Sequence, residues 1–218
     1  MEEKKVLFSS RLFNGIRMED LGCIMSCISY RITDVKKGQI VVFEDQQVRH
    51  VGIVLSGAVD MVKEDVWGNK TLLVRIGKDE VFGETFAWGD DSQSAVTFIA
   101  NEDGQILFMP FNKVMNSCTN ACAFHHQLIR NMVQIIANKN RDLLRKVEVV
   151  SKKTLREKIL SYLSMQAQIQ SSRYFQIPLG RQELADYLCA DRTALSRELS
   201  AMQKDGLIDY HLNTFRIL

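Results

Sequence analysis

The sequence predicts an α+β protein, and three observations lead to that prediction. Residues 31 to 109 contain six short apolar runs separated by glycine-containing polar turns, which is typical of a small antiparallel β-roll or barrel. A glycine-free stretch with a helical apolar stripe then runs to about residue 151, and two short amphipathic helices joined by a tight turn follow in the last third. We therefore expect a β-rich domain, a long helix and a small helical domain, in that order.

A short helix is predicted before the β-rich region. Leu21, Ile24, Met25 and Ile28 recur at helical spacing in "EDLGCIMSCISYRI". The strand-like runs after it are "QIVVFE", "HVGIVL", "AVDMVK", "TLLVRI", "SAVTFIA" and "QILFMP". Because turns rather than helices separate these runs, the pattern excludes a parallel sheet with helical crossovers. Residues 1 to 120 are assigned to this first domain.

The long helix is predicted from about residue 121 to residue 151. Its apolar stripe is interrupted by Lys139 and Lys146 and includes Ile129, Met132, Ile136 and Leu143. A stripe of this length extends beyond what one small barrel can cover, so we expect two copies of the chain to pair along it as a homodimer. The alternative is a helix that packs only on its own barrel.

Residues 152 to 218 predict a winged helix-turn-helix. An amphipathic helix in "TLREKILSYLSMQAQ" and a polar loop "IQSSRYF" come first. The residues that predict the motif are Leu184, Ala185 and Leu188 in one helix, Cys189 and Ala190 in the turn, and Asp191 as the N-cap of the next helix. Two short apolar segments on either side of Leu212 and Asn213 predict the wing.

Four polar residues fall on the outward side of the second helix of this motif: Arg192, Thr193, Ser196 and Arg197. Their spacing lets all four enter a DNA major groove together, where arginine can bond a guanine edge in bidentate fashion. The alternative is an ordinary solvated helix face. The helix-turn-helix behind these residues favours contact with double-stranded DNA.

The composition of the chain limits its class of partner, its location and the redox state of its cysteines. The chain has 218 residues, 46% of them apolar, and a formal net charge of +2, so the total charge does not indicate nucleic acid by itself. Residues 147 to 218 contain ten Lys and Arg against eight Asp and Glu. No apolar run of membrane-spanning length and no signal-like start is present, so we expect a cytoplasmic protein without a membrane segment. Five cysteines, an odd number without dense spacing, are typical of reduced thiols.

The order of these parts resembles the bacterial transcription regulators of the CRP/FNR superfamily, named after the cAMP receptor protein and the fumarate-nitrate regulator. Three segments carry the resemblance: "VGIVLSGAVDMV", "FGETFAWGDDSQSAV", which is similar to the phosphate-binding cassette of the family, and "RQELADYLCADRTALSREL", which is similar to its DNA-binding module. The resemblance covers nearly the whole chain. It implies a cyclic-nucleotide-binding-like β-roll, a dimerisation helix and a winged helix-turn-helix that binds a palindromic operator and cooperates with RNA polymerase.

The resemblance also assigns residues on the DNA-binding side. Arg192, Thr193 and Arg197 match the positions that contact bases in the family, and Arg181 and Gln182 match positions that grip the DNA backbone. Thr193 replaces a residue that is commonly acidic, which leaves the base contacted there open. Cys189 stands where a glycine is usual in the turn.

In the cassette, the resemblance implies an effector pocket that includes Gly83, Glu84, Gln93 and Ser94, with Asp142 on the long helix. Relatives that bind cyclic nucleotides use a glutamate for the ribose and an arginine for the phosphate. Glu84 is present, but Gln93 occupies the arginine position and offers no charge-assisted pair. We therefore expect a small-molecule or redox signal other than cAMP, of unknown identity.

Cysteines and histidines raise a second hypothesis, an iron-sulfur or haem sensor with DNA binding as its output. Cys23 and Cys27 are four residues apart, as are Cys118 and Cys122. Iron-sulfur sites usually have tighter spacing in a loop, whereas Cys23 and Cys27 fall on an apolar helix. The candidate haem ligands His50, His125 and His126 lie in no matching local pattern, so no metal site is predicted.

No sequence pattern indicates an enzyme. The chain has no phosphate-binding loop of the form G-x-x-x-x-G-K-[ST], no H-E-x-x-H and no nucleophile with a neighbouring base. A third hypothesis is a module that binds a protein partner and carries a degenerate DNA-binding domain.

Overall fold

Two antiparallel sheets form the N-terminal part of the chain in the computed structural model, which describes residues 10–89, 92–116 and 123–218. The strands are β1 (Arg31–Val35), β2 (Ile40–Val42), β3 (His50–Ser56), β4 (Val59–Glu64), β5 (Lys70–Ile76), β6 (Val81–Phe82), β7 (Thr97–Ala100) and β8 (Gly104–Pro110). One sheet has the order β1-β8-β3-β6 and the other has the order β2-β7-β4-β5. Each of the six predicted apolar runs contains a strand, which confirms the β-rich assignment.

The space between the two sheets is filled by alternate side chains of both. Val54 and Phe108 enter it from the first sheet, and Val59 and Phe98 enter it from the second. Gly52 is required at the inner face of β3, because a Cβ atom there would lie 2.3 Å from the ring of Phe82. Burying a side chain of this size stabilises the fold by about 1.5–3 kcal/mol.

Helices cover the outer face of the first sheet. They are a 3₁₀ turn (Arg11–Phe13), α1 (Met18–Ile28), α2 (Phe111–Met115) and the first half of α3 (Ala123–Val150). Val51 and Ile53, which alternate with the inward residues of β3, pack against these helices together with Leu107. Strand β3 is therefore buried on both faces, which explains its continuous apolar sequence.

Helix α3 carries two apolar stripes rather than one. Leu128, Met132 and Ile135 are buried in the core that includes the first sheet. A second stripe remains exposed and includes Val133, Ile136, Leu143 and Val147. Met132, which was predicted for a dimer seam, is fully buried inside its own chain and has no surface left for a partner.

The chain separates into two compact units, Met1–Asn138 and Lys139–Leu218, so the predicted middle segment 121–151 is divided between them. The second unit contains α4 (Leu155–Ile169), β9 (Tyr174–Gln176), α5 (Arg181–Tyr187), α6 (Arg192–Lys204), β10 (Ile208–His211) and β11 (Thr214–Ile217). Its sheet has the order β10-β11-β9. In the described part of the chain, no helix combines the length and apolar character that crossing a membrane requires.

The predicted helix-turn-helix and wing are both present, with one strand more than expected. The stretch "IQSSRYF" was predicted to be a polar loop, but β9 begins inside it at Tyr174 and pairs with β11. Phe175 is buried and stacks on Phe215, with ring centroids 6.4 Å apart. One buried aromatic residue in a three-residue strand leaves too short a pattern to detect by alternation.

Candidate nucleic-acid interface

Helix α6 begins at the residue that the sequence indicated. The carboxylate of Asp191 accepts hydrogen bonds from the backbone N–H groups of Thr193 at 2.8 Å and Ala194 at 2.9 Å. These N–H groups stabilise the charged carboxylate, so the bond from Ala194 above all lowers the pKa of Asp191. A side-chain cap of this kind typically contributes about 1 kcal/mol to helix stability.

The two faces of α6 have different partners. Leu195, Leu199 and Met202 are fully buried in the core of the second unit. The predicted DNA-facing residues Arg192, Thr193, Ser196 and Arg197 are all exposed. They span an arc of about 140° at 100° per residue, at the N-terminal end of the helix. Neither Arg192 nor Arg197 forms an ion pair with a residue that the structure describes.

Ser196 differs from its exposed neighbours because its hydroxyl is already engaged. The Oγ atom donates to the carbonyl of Arg192 one turn earlier, at 3.0 Å. Because donation uses only the hydroxyl hydrogen, both lone pairs of this oxygen are still able to accept a bond from a base or a water molecule. The arginines therefore carry the unpaired donors of this surface.

Arg156 of α4 fixes the position of α6 from behind. Its Nε atom donates to Glu198 at 2.5 Å, and its Nη1 atom donates to Asp205 at 2.7 Å. Glu198 lies on α6 and Asp205 is its C-cap, seven residues later, so one guanidinium holds the last two turns of that helix. Bonds to Glu198 and Asp205 raise the pKa of Arg156. Sequence reasoning missed this residue, because its partners are 42 and 49 residues away and no local pattern links them.

The turn between α5 and α6 contains Cys189 in the left-handed conformation, with φ at +52°. Its thiol is free and exposed. The N–H of Ala190 bonds the carbonyl of Ala185 at 2.9 Å, which closes the end of α5 in the pattern that normally selects glycine. Lys158 of α4 donates to the carbonyl of Leu188 at 3.2 Å and ties the turn to the domain core. The motif is retained with cysteine at this position, although the left-handed conformation of a non-glycine residue lowers the stability of the fold by about 1 kcal/mol.

Arg181 is half-buried beneath the wing. Its Nη2 atom donates to the carbonyl of Leu212 at 2.9 Å, and its guanidinium lies 5.0 Å from the ring centre of Tyr210 and 5.4 Å from that of Phe215. Burial lowers the pKa of Arg181 from its ordinary value. Leu212 occupies the tight wing turn with φ at +51°, so this arginine holds the turn in place. Gln182 beside it is exposed and donates to Asp186 at 2.9 Å.

The cassette of the first unit has a different character. Gly83 has φ at +83°, and a Cβ atom there would approach the carbonyl of His50 to 3.2 Å. Glu84 and Ser94 are buried, whereas Gln93 is exposed. The Ser94 hydroxyl donates to the carbonyl of Val96 at 2.7 Å and is thus used within its own segment.

Comparisons with known proteins agree with both halves of this description. Residues 32–120 match the family model of the cyclic nucleotide-binding domain, and residues 157–218 match the Crp-like helix-turn-helix domain. The transcriptional activator protein FnrA of Stutzerimonas stutzeri is 24% identical, over 94% of this chain and 83% of its own. The cyclic AMP receptor protein of Thermus thermophilus is 22% identical, over 91% of this chain and 88% of its own.

The fold has solved relatives as well. The structure of a CooA mutant from Carboxydothermus hydrogenoformans superposes with a TM-score of 0.61 at 16% identity, covering 96% of this chain and 95% of the other. The chain belongs to the CRP/FNR superfamily. As a CRP/FNR protein it is a DNA-binding transcription regulator with a cyclic-nucleotide-binding-type domain, not an enzyme.

In this CRP/FNR protein a cation beside the cassette is already neutralised. Lys63 of β4 pairs with Glu44 and donates to the carbonyl of Ala95 at 2.9 Å. Gln93 itself meets Gln47 in an isolated antiparallel bridge. Asp142, the fifth predicted pocket residue, lies in the second unit, is exposed, and pairs with Arg145 at 3.0 Å.

The thiols and histidines of this CRP/FNR protein are spread out. Cys23 and Cys27 are exposed on α1, and Cys118 and Cys122 lie outside the described residues. His50 is half-buried, His125 is buried and His126 is exposed. Across residues 10–89, 92–116 and 123–218, no three His, Cys, Asp or Glu side chains come together as a metal site.

Proposed function

We propose that this CRP/FNR protein acts in the cytoplasm as a homodimer that binds a near-palindromic operator through α6, under the control of a signal other than cAMP. The observation that carries the proposal is a pair of exposed arginines, Arg192 and Arg197, that have no ion-pair partner in the described part of the chain. They lie on a helix whose start and buried face are fixed. Such guanidinium groups match the O6 and N7 acceptors of guanine.

The DNA-contacting residues divide into two roles. Arg192, Thr193, Ser196 and Arg197 are proposed to contact base edges, and Gln182 is proposed to contact a phosphate. Arg181 shapes the wing through Leu212 and adds its positive charge to that side of the motif. A dimer would repeat these contacts in two half-sites about one DNA turn apart. The bound dimer would then act on RNA polymerase.

Selection of binding sites from random DNA tests these roles. Arg197→Ala should relax the preference at one position of each half-site, since a bidentate arginine contributes about 1–3 kcal/mol of discrimination. Arg173→Ala is the matched control, because Arg173 is an exposed arginine of the same unit outside α6. An unchanged preference in Arg197→Ala would show that α6 does not contact bases at this residue.

The dimer is proposed to form along the exposed stripe of α3. Ile129 is half-buried, and Val133, Ile136, Leu143 and Val147 are exposed; together they follow a spacing of three, four or seven residues, which is typical of a helix-pairing seam. Met132 belongs to the inner stripe, so the exposed residues replace it in the proposed interface. Starting from Ile129, the residues of the exposed stripe follow one another at intervals of four, three, seven and four residues. Met132 does not belong to this series.

Ile136→Asp tests this interface. A carboxylate at the centre of an apolar seam has no partner for its charge, so the variant should sediment as a monomer. Gln134→Asp, which introduces the same charge on an exposed position away from the stripe, should leave the mass unchanged. Equal masses for the wild type and Ile136→Asp would contradict the proposal.

The iron-sulfur or haem sensor remains a second candidate on one observation. Both Cys23 and Cys27 are exposed on α1 rather than buried, which keeps them accessible to a metal or an oxidant. Visible absorption of anaerobically purified protein separates the two candidates. A chromophore that disappears in a Cys23→Ser, Cys27→Ser double variant would establish the sensor, and a colourless, DNA-binding wild type would exclude it.

A further inference from the structure

A cleft of about 250 Å³ opens in the N-terminal unit, between β1, β2 and residues 46–50. The cassette residues Gly83, Glu84, Gln93 and Ser94 do not line it. Its polar lining consists of seven side chains: Arg31, Thr33, Gln39, Gln46, Gln47, Arg49 and His50. None of the described residues that line the cleft is acidic, so their side chains concentrate positive charge there.

The arginines of the cleft have no carboxylate partner among the described residues. Arg49 donates to the Oε1 atom of Gln47 at 2.7 Å, and Arg31 lies over the ring of Phe108 at 5.1 Å. Asp34, the acidic residue of β1, alternates to the other face of the strand from Arg31 and accepts from Gln105 at 2.8 Å. No carboxylate that the structure describes therefore neutralises these two guanidinium groups.

The three glutamines add donors rather than acceptors. The Oε1 atoms of Gln39 and Gln46 accept backbone N–H bonds from Lys36 and Phe43, each at 3.0 Å. The Oε1 atom of Gln47 is occupied by Arg49. In all three residues the unused end is the NH₂ group, which only donates.

His50 reports the electrostatic character of the cleft. The pKa of His50 is lowered mainly by burial, and the nearby charges of Arg31 and Arg49 lower it further. Arg31 and Arg49 line the same cleft as this imidazole, so both cations face the space that a single ligand would occupy. Buried apolar groups, Phe108 and Val48 among them, form the remaining wall.

We propose that this cleft binds a small organic anion, with a carboxylate or phosphate group at Arg31 and Arg49 and an apolar part against Phe108. Guanidinium groups pair with both anions through charge-assisted bonds, and the cleft is slightly smaller than a typical drug-sized pocket of about 300–1,000 Å³. The backbone wall of the cleft is shared with the cassette, because Gln47 pairs with Gln93 and Val48 bonds the carbonyl of Ser92 at 2.6 Å. The site belongs to the N-terminal unit and does not depend on the proposed DNA contacts.

Calorimetric titration of the full chain with benzoate, benzamide and inorganic phosphate tests the proposal. Benzoate and benzamide share a ring and differ in charge, and phosphate supplies charge without an apolar part. Benzoate, phosphate or both should bind in the millimolar range or tighter, and benzamide should not. R31Q and R49Q should each weaken anion binding about ten-fold, the value expected for one charge-assisted bond. R11Q is the matched control, because Arg11 is an exposed arginine of the same unit outside the cleft.

Proton NMR of His50 supplies a second measurement, since its ring signals should move when the anion binds in wild type and R11Q. Binding of benzoate alone identifies organic carboxylates as the ligand class, and binding of phosphate alone identifies phosphate groups. Saturation by neither anion would overturn the proposal. Equal binding of benzamide, or anion binding unaffected by both R31Q and R49Q, would overturn it as well, because the ligand would then not require the cations of this cleft.

Discussion

Helix α6 and the cassette at residues 82–96 differ in how their polar groups are engaged. On α6, residues behind the exposed face make the supporting contacts: Arg156 bonds Glu198 and Asp205, and Asp191 caps the helix. Arg192 and Arg197, on the exposed face, have no ion-pair partner among the residues that the structure describes. In the cassette, Ser94 bonds its own segment, and Lys63 next to it is paired with Glu44.

The exposed arginines of α6 are thus available to an acceptor, whereas Ser94 and Lys63 are already bonded within the N-terminal unit. A phosphate or a base edge needs donors that are not already compensated, and α6 offers them. The cassette keeps the positive-φ glycine and the buried glutamate of its family, but its exposed Gln93 brings no charge. Membership in a ligand-binding family therefore does not identify the ligand. Whether each hydrogen-bond donor is free or already bonded is more direct evidence of what the site can bind.

The largest expected effect is on the buried face of α6. Leu199→Ala removes a fully buried side chain and should lower the free energy of unfolding of the second unit by about 2–5 kcal/mol. Arg192→Ala, on the exposed face, should change it by less than about 0.5 kcal/mol while altering DNA preference. Denaturant unfolding followed by circular dichroism measures both. Similar stability losses in the two variants would remove the distinction between a supporting face and a DNA-facing one.

The second largest effect on stability is expected from a change at Arg181. Arg181→Lys keeps the positive charge but loses the planar group that stacks on Tyr210 and Phe215, so the free energy of unfolding should fall by about 1 kcal/mol. Arg173→Lys, at an exposed position of the same unit, should have no such effect. Thermal unfolding provides the comparison. If Arg181→Lys is as stable as the wild type and only the salt dependence of DNA binding changes, Arg181 acts through DNA phosphate alone.

A smaller effect is expected for the support from α4. Arg156→Met retains most of the aliphatic stem and loses both carboxylate bonds, so α6 should be held less firmly. Affinity should fall several-fold more for specific DNA than for scrambled DNA, because the proposed base contacts all come from α6 and the proposed phosphate contact comes from α5. Fluorescence anisotropy on both DNAs measures this, with Lys153→Met as the control for the lost positive charge. An equal loss on both DNAs, matched by Lys153→Met, would mean that Arg156 acts only through its charge.

The smallest effect is expected in the cassette. Calorimetry should detect no micromolar binding of cAMP or cGMP to the wild type, since Gln93 cannot neutralise the cyclic phosphate. Gln93→Arg should add weak, millimolar binding at most, because one exposed cation contributes about 1 kcal/mol or less. Gln105→Arg supplies the same charge elsewhere on the roll. Tight binding by the unmodified chain would mean that the cassette is a functioning nucleotide site.

Local determinants are the part of this fold that the sequence predicts well. Asp191 caps α6 within three residues of itself, and four of the five gaps between the apolar runs of the roll contain a glycine. The wing was predicted for the same reason, since its two strands are joined by a turn at Leu212 and Asn213. Each of these features depends on neighbours in the chain.

Features that depend on distant partners were not predictable in this way. Arg156 looks like any helical arginine until α6 is placed against it. Met132 and Val133 are adjacent apolar residues, and periodicity does not tell which of two stripes on α3 is covered by the sheet of its own domain. The cationic cleft combines residues 31, 49 and 50, whose proximity follows from the pairing of β1 and β3 with β8.

The bonds from Arg156, Lys158 and Arg181 also have a consequence for the thermodynamics of DNA association. They order α6, the turn before it and the wing while the chain folds, so the conformational entropy of these parts is lost then and not on DNA. Association should accordingly show a heat-capacity change that matches the surface buried between two preformed bodies. The larger, negative change that accompanies folding on binding should be absent.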